Sequence, residues 1–268
     1  IAHNLALLDV EVKFITAFGE DIHAGEIQHS CRENGIDITH SRSVSGASTS
    51  TYMFITDENG DMQLAVSDME IYSYLTPEYI ASKLDVINNA SICVIDTNLP
   101  AETIQYLCEN CTVPIFADPV STAKAVKLLP VLGRIHTIKP NMLEAALLTG
   151  IPVTDERSAR KAVDILLELG VRQVFLSMGA AGVLYGNARG KKRIPNYPAE
   201  IRNTTGAGDS FMAALAWGWR QGLSLEDTAR AGLAAASICI ASEETISPRI
   251  SAKAIYDIIG MMPPEEAE

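Results

Sequence analysis

The segment best suited to chemistry is a glycine-containing turn at residues 203–211 that leads directly into an apolar helix. Glycine lets the backbone approach an anion closely, and the N–H groups and dipole of a helix start attract negative charge. The sequence therefore predicts that Gly206, Ala207 and Gly208 bind a phosphate or a developing oxyanion. The Gly-x-x-x-x-Gly-Lys-Ser/Thr phosphate loop and the Gly-x-Gly-x-x-Gly dinucleotide fingerprint are both absent from the sequence.

Asp209 lies at the start of the same helix, where a carboxylate commonly caps the helix and complements its dipole. Taken alone, Asp209 is better interpreted as a cap. A carboxylate beside a bound phosphate is unfavourable, however, unless it accepts a proton from a hydroxyl group. The turn and the carboxylate together indicate phosphoryl transfer to an alcohol, with Asp209 as the general base.

A second pair of polar residues, Asn141 and Glu144, is spaced three apart at the start of a predicted helix. This spacing places both side chains on one face, where they could bind the same water or cation. One interpretation is an oxygen-ligand site for Mg²⁺, reached partly through water. The other is a capping box, with Asn141 as the N-cap and Glu144 closing it.

Carboxylates also follow two predicted parallel strands, at Asp96 and Asp118. Open α/β sheets bind their ligands at the carboxyl ends of such strands, so both residues and the adjacent Asn98 are expected in one crevice. Thr51 and Asp68 fall on a predicted β-hairpin, where each is by itself an ordinary polar residue on a half-exposed ribbon.

The elements that must position these residues follow a repeated strand–helix pattern, which predicts an α/β fold with a mainly parallel sheet. The last third of the chain is predicted to be dominated by helices rich in small residues. Predicted strands are residues 12–18, 91–96, 113–118, 135–138 and a pair at 172–177 and 182–185, and predicted helices are 21–34, 101–110, 141–150, 155–170, 207–221 and 225–241.

Residues 40–75 interrupt this pattern, because two β-prone runs at 50–56 and 62–67 flank a turn at 57–60. A two-stranded ribbon is marginal alone, so it must pack on other elements. It could form a lid over a substrate pocket or an ordinary sheet edge. The acidic tail at residues 263–268 is predicted to fray.

Composition narrows the classes of partner. A formal net charge of −12 disfavours nucleic acid, and no apolar run is long enough to cross a bilayer. We therefore expect a cytoplasmic protein with a small-molecule substrate and neither nucleic-acid nor membrane partners. The five cysteines lack zinc-site spacing and are expected to be reduced and mostly buried.

The turn at residues 203–213 resembles the second signature of the ribokinase-like, PfkB-type carbohydrate and nucleoside kinases. Residues 139–144 resemble the family's Asn-x-x-Glu motif, and residues 177–182 resemble its nucleotide-binding strand–turn–strand. The three motifs occur in the family's order. Four further segments, at 48–52, 66–71, 117–121 and 135–141, resemble the branch that phosphorylates the 5′-hydroxyl of the C-nucleoside pseudouridine.

The resemblance implies a single ribokinase-like domain over residues 1–268, a three-layer αβα sandwich in which residues 40–75 supply the lid. It implies ATP and Mg²⁺ as cofactors and a homodimer formed through the lid. The implied site has four parts: Asp209 with the anion hole Gly206, Ala207 and Gly208; Ser177, Gly179, Gly182, Thr205 and Asn141 at the nucleotide; Glu144 and Asn141 at the metal; and Asp96, Asn98, Thr51 and Asp68 at the acceptor.

Two departures from the family pattern limit what the resemblance implies. Asn203 stands where many members carry an aspartate that helps bind a monovalent cation, so the resemblance leaves K⁺ activation of this chain open. The family's first strand would lie before Ile1, and we expect weak activity from a chain without it. The alternatives are another sugar or nucleoside kinase of the same fold and a catalytically silent ligand-binding relative.

Overall fold

The computed structural model describes residues 1–56 and 62–262. The predicted turn at 57–60 and the predicted frayed tail at 263–268 lie outside these residues. Along the chain the elements are α1 (Ala2–Leu7), β1 (Ala17–Phe18), α2 (Ile22–Glu33), β2 (Arg42–Ser43), β3 (Thr51–Thr56), β4 (Met62–Asp68), α3 (Pro77–Ala81), α4 (Leu84–Asn88), β5 (Cys93–Asp96), α5 (Ala101–Asn110), β6 (Ile115–Asp118), α6 (Thr122–Ala125), β7 (Thr137–Ile138), α7 (Met142–Thr149), α8 (Glu156–Glu168), β8 (Gln173–Ser177), β9 (Val183–Asn187), β10 (Gly190–Ile194), α9 (Ala207–Arg220), α10 (Leu225–Ile240) and α11 (Ala252–Ile259), with 3₁₀ helices at Glu70–Tyr74, Val126–Arg134 and Gly179–Ala181.

The main sheet of the described residues has six strands in the order β10-β9-β8-β7-β6-β5. Strands β5 to β8 run parallel, and β9 and β10 are antiparallel. Helices α5, α7 and α8 connect or follow the parallel strands, as the repeated strand–helix pattern predicts. The prediction of an α/β fold with a mainly parallel sheet is confirmed.

Two hydrophobic clusters lie on opposite faces of this sheet. Successive strand residues alternate between the faces, so Phe116 packs in one cluster while its neighbour Ala117 packs in the other. The first cluster contains residues of α9, α10 and α11, and the second contains residues of α5, α7 and α8. The result is a helix–sheet–helix sandwich in three layers.

The prediction that residues 12–18 form a strand of the main sheet is wrong. The only strand in this run is β1, which pairs in parallel with β2 in a separate two-stranded sheet. Phe14 N donates to Asp37 O at 2.7 Å, and Arg42 N donates to Thr16 O at 2.8 Å, so the extended run pairs with the segment that follows α2. An apolar run predicts extended backbone but does not specify its partner.

The antiparallel region contains a further strand, β10, that the sequence pattern does not predict. It contains the basic run Lys191, Lys192 and Arg193. Three consecutive charged residues do not show the alternation of apolar and polar residues by which a strand is predicted. Each of these side chains forms an ion pair with a helix residue: Lys191 with Asp164, Lys192 with Glu226, and Arg193 with Glu156. The basic run therefore belongs to an edge strand whose charges are matched within the chain.

The predicted hairpin is present as a two-stranded antiparallel sheet of β3 and β4, in which Thr51 pairs with Asp68. Its assignment as a lid stays a prediction. All five cysteines are free thiols. Within residues 1–56 and 62–262, no helix is both long enough and apolar enough to span a membrane.

Candidate active site

Carboxylates from two neighbouring strands and one helix lie close enough to influence one another at the carboxyl edge of the parallel strands. Asp96 ends β5, Asp118 ends β6, and the two residues are paired in register. Burial raises the pKa of the Asp96 carboxyl, and the negative charges of Asp118 and Asp209 raise it further, while hydrogen bonds from Asn98 act in the opposite direction. The predicted base is therefore close to the strand ends that the sequence placed in one crevice.

The turn before α9 leaves backbone donors without acceptors. Gly206 is the N-cap with φ +86°, and no side chain caps the helix. Ser210 N donates to Gly206 O at 2.9 Å, whereas the N–H groups of Gly208 and Asp209 have no acceptor among the described residues. Free N–H groups at a helix start form a site that favours anions.

Asp209 lies in the first turn of α9 and is exposed to solvent. Among the described residues its carboxylate accepts no hydrogen bond, so a capping hydrogen bond does not account for this residue; its charge lies where it complements the dipole of α9. Its negative charge contributes to the raised pKa of the Asp96 carboxyl and of the Cys239 thiol. An exposed, uncommitted carboxylate next to free amide donors can accept a proton from a bound alcohol.

The residues before the turn hold its shape. Asn203 Oδ1 accepts from Thr205 N at 2.9 Å, and Asn203 Nδ2 donates to Glu243 O at 3.1 Å. Both ends of the Asn203 amide are thus used to fold the loop. Thr205 accordingly stands one residue before the N-cap, at the edge of the candidate anion site.

Asn141 and Glu144 form the capping box that the sequence allowed as one of two interpretations. Asn141 Oδ1 accepts from Glu144 N, and Glu144 Oε2 accepts from Asn141 N, both at 2.9 Å. Glu144 is buried, and burial raises the pKa of its carboxyl. The box uses one oxygen of Glu144, which leaves the Oε1 atom for a further ligand.

The oxygen atoms of Asn141 and Glu144 fit a Mg²⁺ ion that binds together with a nucleotide. Within the described residues no three acidic, histidine or cysteine side chains converge into a metal cage. Mg²⁺ usually keeps several waters and uses one or two carboxylates together with substrate phosphates. A single buried carboxylate with an unused oxygen, flanked by the Asp118 charge, meets that requirement.

The predicted nucleotide turn lies beside this box. Ser177 N donates to Pro140 O at 2.9 Å, which forms a bridge between Ser177 and Asn141. Gly179 has φ +57°, and Gly182 has φ +93° and no room for a Cβ atom beside the Ile194 backbone. The structure therefore brings Ser177 and Asn141 together, and the two glycines shape the turn between β8 and β9.

The predicted acceptor residues fall into two groups. Asn98 donates to Asp96 from its backbone N at 2.7 Å and from Nδ2 at 2.9 Å, and its Oδ1 accepts from Lys124. Asn98 is thereby committed to holding Asp96. Thr51 and Asp68 form hydrogen bonds at the base of the hairpin, with Thr49 O and Glu70 N respectively.

Sequence reasoning missed Tyr72, which connects the hairpin to the crevice. Its hydroxyl lies 2.8 Å from the Oγ atom of Ser50, the residue directly before β3. Burial raises the pKa of this hydroxyl, and the negative charge of Asp96 raises it further. Tyr72 and Asp96 both line a cavity of about 230 Å³ next to β5. No local motif marks this tyrosine, since it reaches Asp96 only through the packing of the hairpin.

The sequence pattern assigned no role of its own to Lys139, which is only the first residue of the motif at 139–144. The structure buries its ammonium beside Asp118, with Nζ 3.3 Å from Oδ2. The pair stands at the carboxyl ends of β6 and β7. The sequence signal for this residue is a lysine directly before Pro-Asn. A single lysine has no characteristic spacing to other residues, so it does not by itself predict a site.

The sequence and the fold of this chain are similar to those of known proteins. A family model described as pfkB family carbohydrate kinase matches residues 1–252. The pseudouridine kinase of Escherichia coli (strain K12) is 33% identical over 264 residues, which cover 97% of this chain and 83% of the relative. A solved carbohydrate kinase from Agrobacterium tumefaciens is 28% identical with a TM-score of 0.82, covering 98% of this chain and 84% of that one. The ribokinase of Arabidopsis thaliana, solved in complex with ribose and ATP, is 24% identical with a TM-score of 0.82 and coverages of 97% and 86%.

Proposed function

The chain belongs to the pfkB family of carbohydrate kinases, and we propose that it transfers the γ-phosphoryl group of ATP to the 5′-hydroxyl of pseudouridine. Family membership makes it a phosphotransferase that acts on a sugar or nucleoside hydroxyl. The choice of a nucleoside, and of this nucleoside, is supported by the 33% identity to the pseudouridine kinase of Escherichia coli over nearly the whole chain.

The observation that carries the proposed chemistry is the exposed Asp209 carboxylate beside the N–H groups of Gly208 and Asp209, for which the described part of the chain offers no acceptor. Asp209 takes the proton from the acceptor hydroxyl as the hydroxyl oxygen bonds to the γ-phosphorus. The bond from that phosphorus to the bridging oxygen breaks, and ADP leaves. The N–H groups of Gly208 and Asp209, at the turn formed by Gly206, Ala207 and Gly208, bind the phosphoryl oxygens throughout the transfer.

Asn141 and Glu144 would hold Mg²⁺, directly or through water. The metal ion, when bound, neutralises charge on the phosphate oxygens. The capping box fixes the Glu144 carboxylate at the start of α7, so its unused oxygen keeps a constant position toward the crevice. Ser177, Gly179, Gly182 and Thr205 would contact the nucleotide, because the β8–β9 turn adjoins this box.

Asp96 would accept hydrogen bonds from the acceptor's sugar hydroxyls. Its two bonds from Asn98 hold the carboxylate in place, and the hairpin base reaches it through Tyr72. Thr51 and Asp68, paired at the same base, would contact the nucleoside when the hairpin covers it. A covered site excludes water as a competing acceptor.

The hairpin also carries an exposed apolar face, which we assign to a second copy of this chain. Met53, Ile55, Leu64 and Val66 are each more than half exposed, and the register places Met53 opposite Val66 and Ile55 opposite Leu64. Cross-strand pairs of this kind share one face of the ribbon. A partner hairpin of the same sequence would bury this face.

The experiment for substrate choice is an ADP-release assay with pseudouridine, uridine, adenosine and ribose. We expect the highest kcat/KM for pseudouridine and a product that carries phosphate at the 5′ position. A higher kcat/KM for ribose or adenosine would replace the proposed acceptor and leave the kinase assignment intact. Binding of these compounds without ADP release from any of them would favour a silent ligand-binding relative.

A further inference from the structure

Three of the five cysteines pack in the hydrophobic cluster on the face of the sheet that α5, α7 and α8 cover. Cys93 is the first residue of β5, Cys108 lies in the last turn of α5, and Cys111 directly follows that helix. Cys31 and Cys239 pack in the other cluster, on the opposite face of the sheet. The proposed phosphoryl transfer uses none of these thiols, so their chemistry is available for another purpose.

The turn between α5 and β6 brings Cys111 to Cys93. Cys93 N donates to Pro114 O at 3.0 Å, where the pairing of β5 with β6 begins. Cys111 Sγ donates to Val113 O at 3.6 Å, one residue earlier in the same turn. The Cys93 thiol in turn donates a hydrogen bond to Cys111 Sγ. The two sulfur atoms therefore lie at one turn, in hydrogen-bond contact.

The two thiols differ in reactivity. The hydrogen bond from Cys93 lowers the pKa of Cys111, although burial acts in the opposite direction. Cys111 is half-buried between the exposed residues Asn110 and Thr112, so a small oxidant can reach its sulfur. Cysteines that are reversibly oxidised combine a lowered pKa, access to solvent and a neighbouring thiol. Cys111 has all three of these features.

The neighbouring thiol could be Cys93 or Cys108. The pKa of Cys93 is raised first by its hydrogen bond to Cys111 and then by burial. Oxidation of Cys111 removes the thiolate that accepts this bond, and with it the main cause of the raised pKa. The pKa of Cys108 is raised to about 12, first by burial, which oxidation of Cys111 does not change. Cys93 is therefore the better nucleophile toward an oxidised Cys111.

We propose that Cys111 and Cys93 form a modification site for hydroperoxides, at which Cys111 is oxidised and Cys93 then closes a disulfide. This inference rests on the positions of the two thiols and goes beyond the proposed kinase reaction, on which it does not depend. The same two thiols would be inert core residues if no oxidant reached them.

The Cys111 thiolate attacks one oxygen of the hydroperoxide, so an S–O bond forms while the O–O bond breaks. The second oxygen takes up a proton and leaves as water or an alcohol, and Cys111 becomes a sulfenic acid. The Cys93 sulfur then attacks the Cys111 sulfur, the S–O bond breaks, and the departing hydroxide takes the Cys93 proton to form water. In sum, two thiols lose two hydrogen atoms and the hydroperoxide is reduced.

The test exposes the reduced full chain to hydrogen peroxide, blocks the remaining thiols by alkylation and maps the peptides by mass spectrometry. We expect the intact protein to lose two hydrogen atoms, a cross-link to join Cys93 to Cys111, and dithiothreitol to restore both thiols. In Cys93→Ser, the sulfenic acid at Cys111 should persist and be trapped by dimedone. In Cys111→Ser, the cross-link should be lost.

Cys108→Ser is the matched control, because it removes a thiol of the same cluster and should keep the cross-link. An unchanged mass after peroxide treatment, or a cross-link that includes Cys108, would overturn the proposal. Should thermal unfolding show that Cys111→Ser does not fold, limited alkylation of the folded wild type decides the matter: Cys111 must react with iodoacetamide before any other cysteine. These measurements need no phosphoryl acceptor, so a failure of the proposed function leaves their result unaffected.

Discussion

The carbonyl oxygen of Thr245 occupies the space that a Cβ atom on Gly206 would need. Gly206 also has φ +86°, a conformation that residues with a side chain rarely adopt. Two independent constraints, one conformational and one steric, therefore require glycine at the N-cap of α9. The segment that contains Thr245 packs against Gly206 and so against the turn that forms the candidate anion site.

Gly206→Ala should abolish turnover and lower the melting temperature, because the turn must move away from Thr245. Gly222→Ala is the matched control: Gly222 has φ +71° but nothing within 4 Å of the added Cβ. The control should cost about 1 kcal/mol of stability from backbone strain alone and retain its kcat. Thermal denaturation and steady-state kinetics distinguish the two; equal effects would show that the Thr245 contact is unimportant.

Asp209→Asn should lower kcat by about 10²–10⁴-fold, the usual contribution of a general base. The exchange keeps size and removes the proton acceptor. Since Asp209 accepts no capping hydrogen bond among the described residues, the melting temperature should fall only slightly, through the loss of a negative charge at the start of α9. Isothermal titration of ATP and acceptor checks that binding persists, and an unaltered kcat would refute the assigned role.

Glu144→Gln should raise the Mg²⁺ concentration needed for half-maximal activity while keeping the fold. Glutamine can close the same capping box, and a neutral side chain avoids the cost of a buried charge. Glu144→Ala removes the bond to Asn141 N as well and should cost about 1 kcal/mol of stability. A magnesium titration that matches the wild type in both variants would assign Glu144 to capping alone.

Asp96→Asn should raise KM for the acceptor about 10- to 100-fold, the cost of one charged hydrogen bond. It should also stabilise the protein at neutral pH. The pKa of Asp96 is raised in the folded chain, mainly by burial, so the folded protein retains a proton that the unfolded chain has already released. The free energy of unfolding of the wild type therefore falls as the pH rises from the ordinary pKa of aspartate, which applies in the unfolded chain, toward the raised pKa of the folded chain.

The amide that this exchange introduces does not titrate, so the advantage of the variant should be present at pH 7–8 and shrink toward about pH 4. Differential scanning calorimetry across this range measures it. A variant that is less stable than the wild type at pH 7 would show that the Asp96 charge supports the fold.

Ile55→Glu should convert the proposed dimer into a monomer, because it places a charge in the apolar face of the hairpin, where Ile55 is 62% exposed. The control is Ile22→Glu on α2, which removes an isoleucine that is 73% exposed elsewhere. Sedimentation velocity should show dissociation only for Ile55→Glu. A monomeric wild-type protein at the assay concentration would contradict the proposed dimer.

The sequence determined the features that are encoded within a few neighbouring residues. The glycine turn before α9 and the Asn141–Glu144 capping box arise from backbone freedom and side-chain reach over one helical turn. The alternation of apolar strands and amphipathic helices likewise predicted the parallel sheet. These local signals placed Asp96 and Asp209 at the ends of the elements that carry them.

Only the tertiary structure decided which of those elements meet. Residues 12–18 have the composition of a sheet strand, yet they pair with the segment after α2, because apolar composition does not select a hydrogen-bonding partner. Lys139 and Gly208 lie 69 positions apart and become neighbours through the stacking of α9 on one face of the sheet. Contacts of this range depend on how whole surfaces pack, and no spacing within the sequence records them.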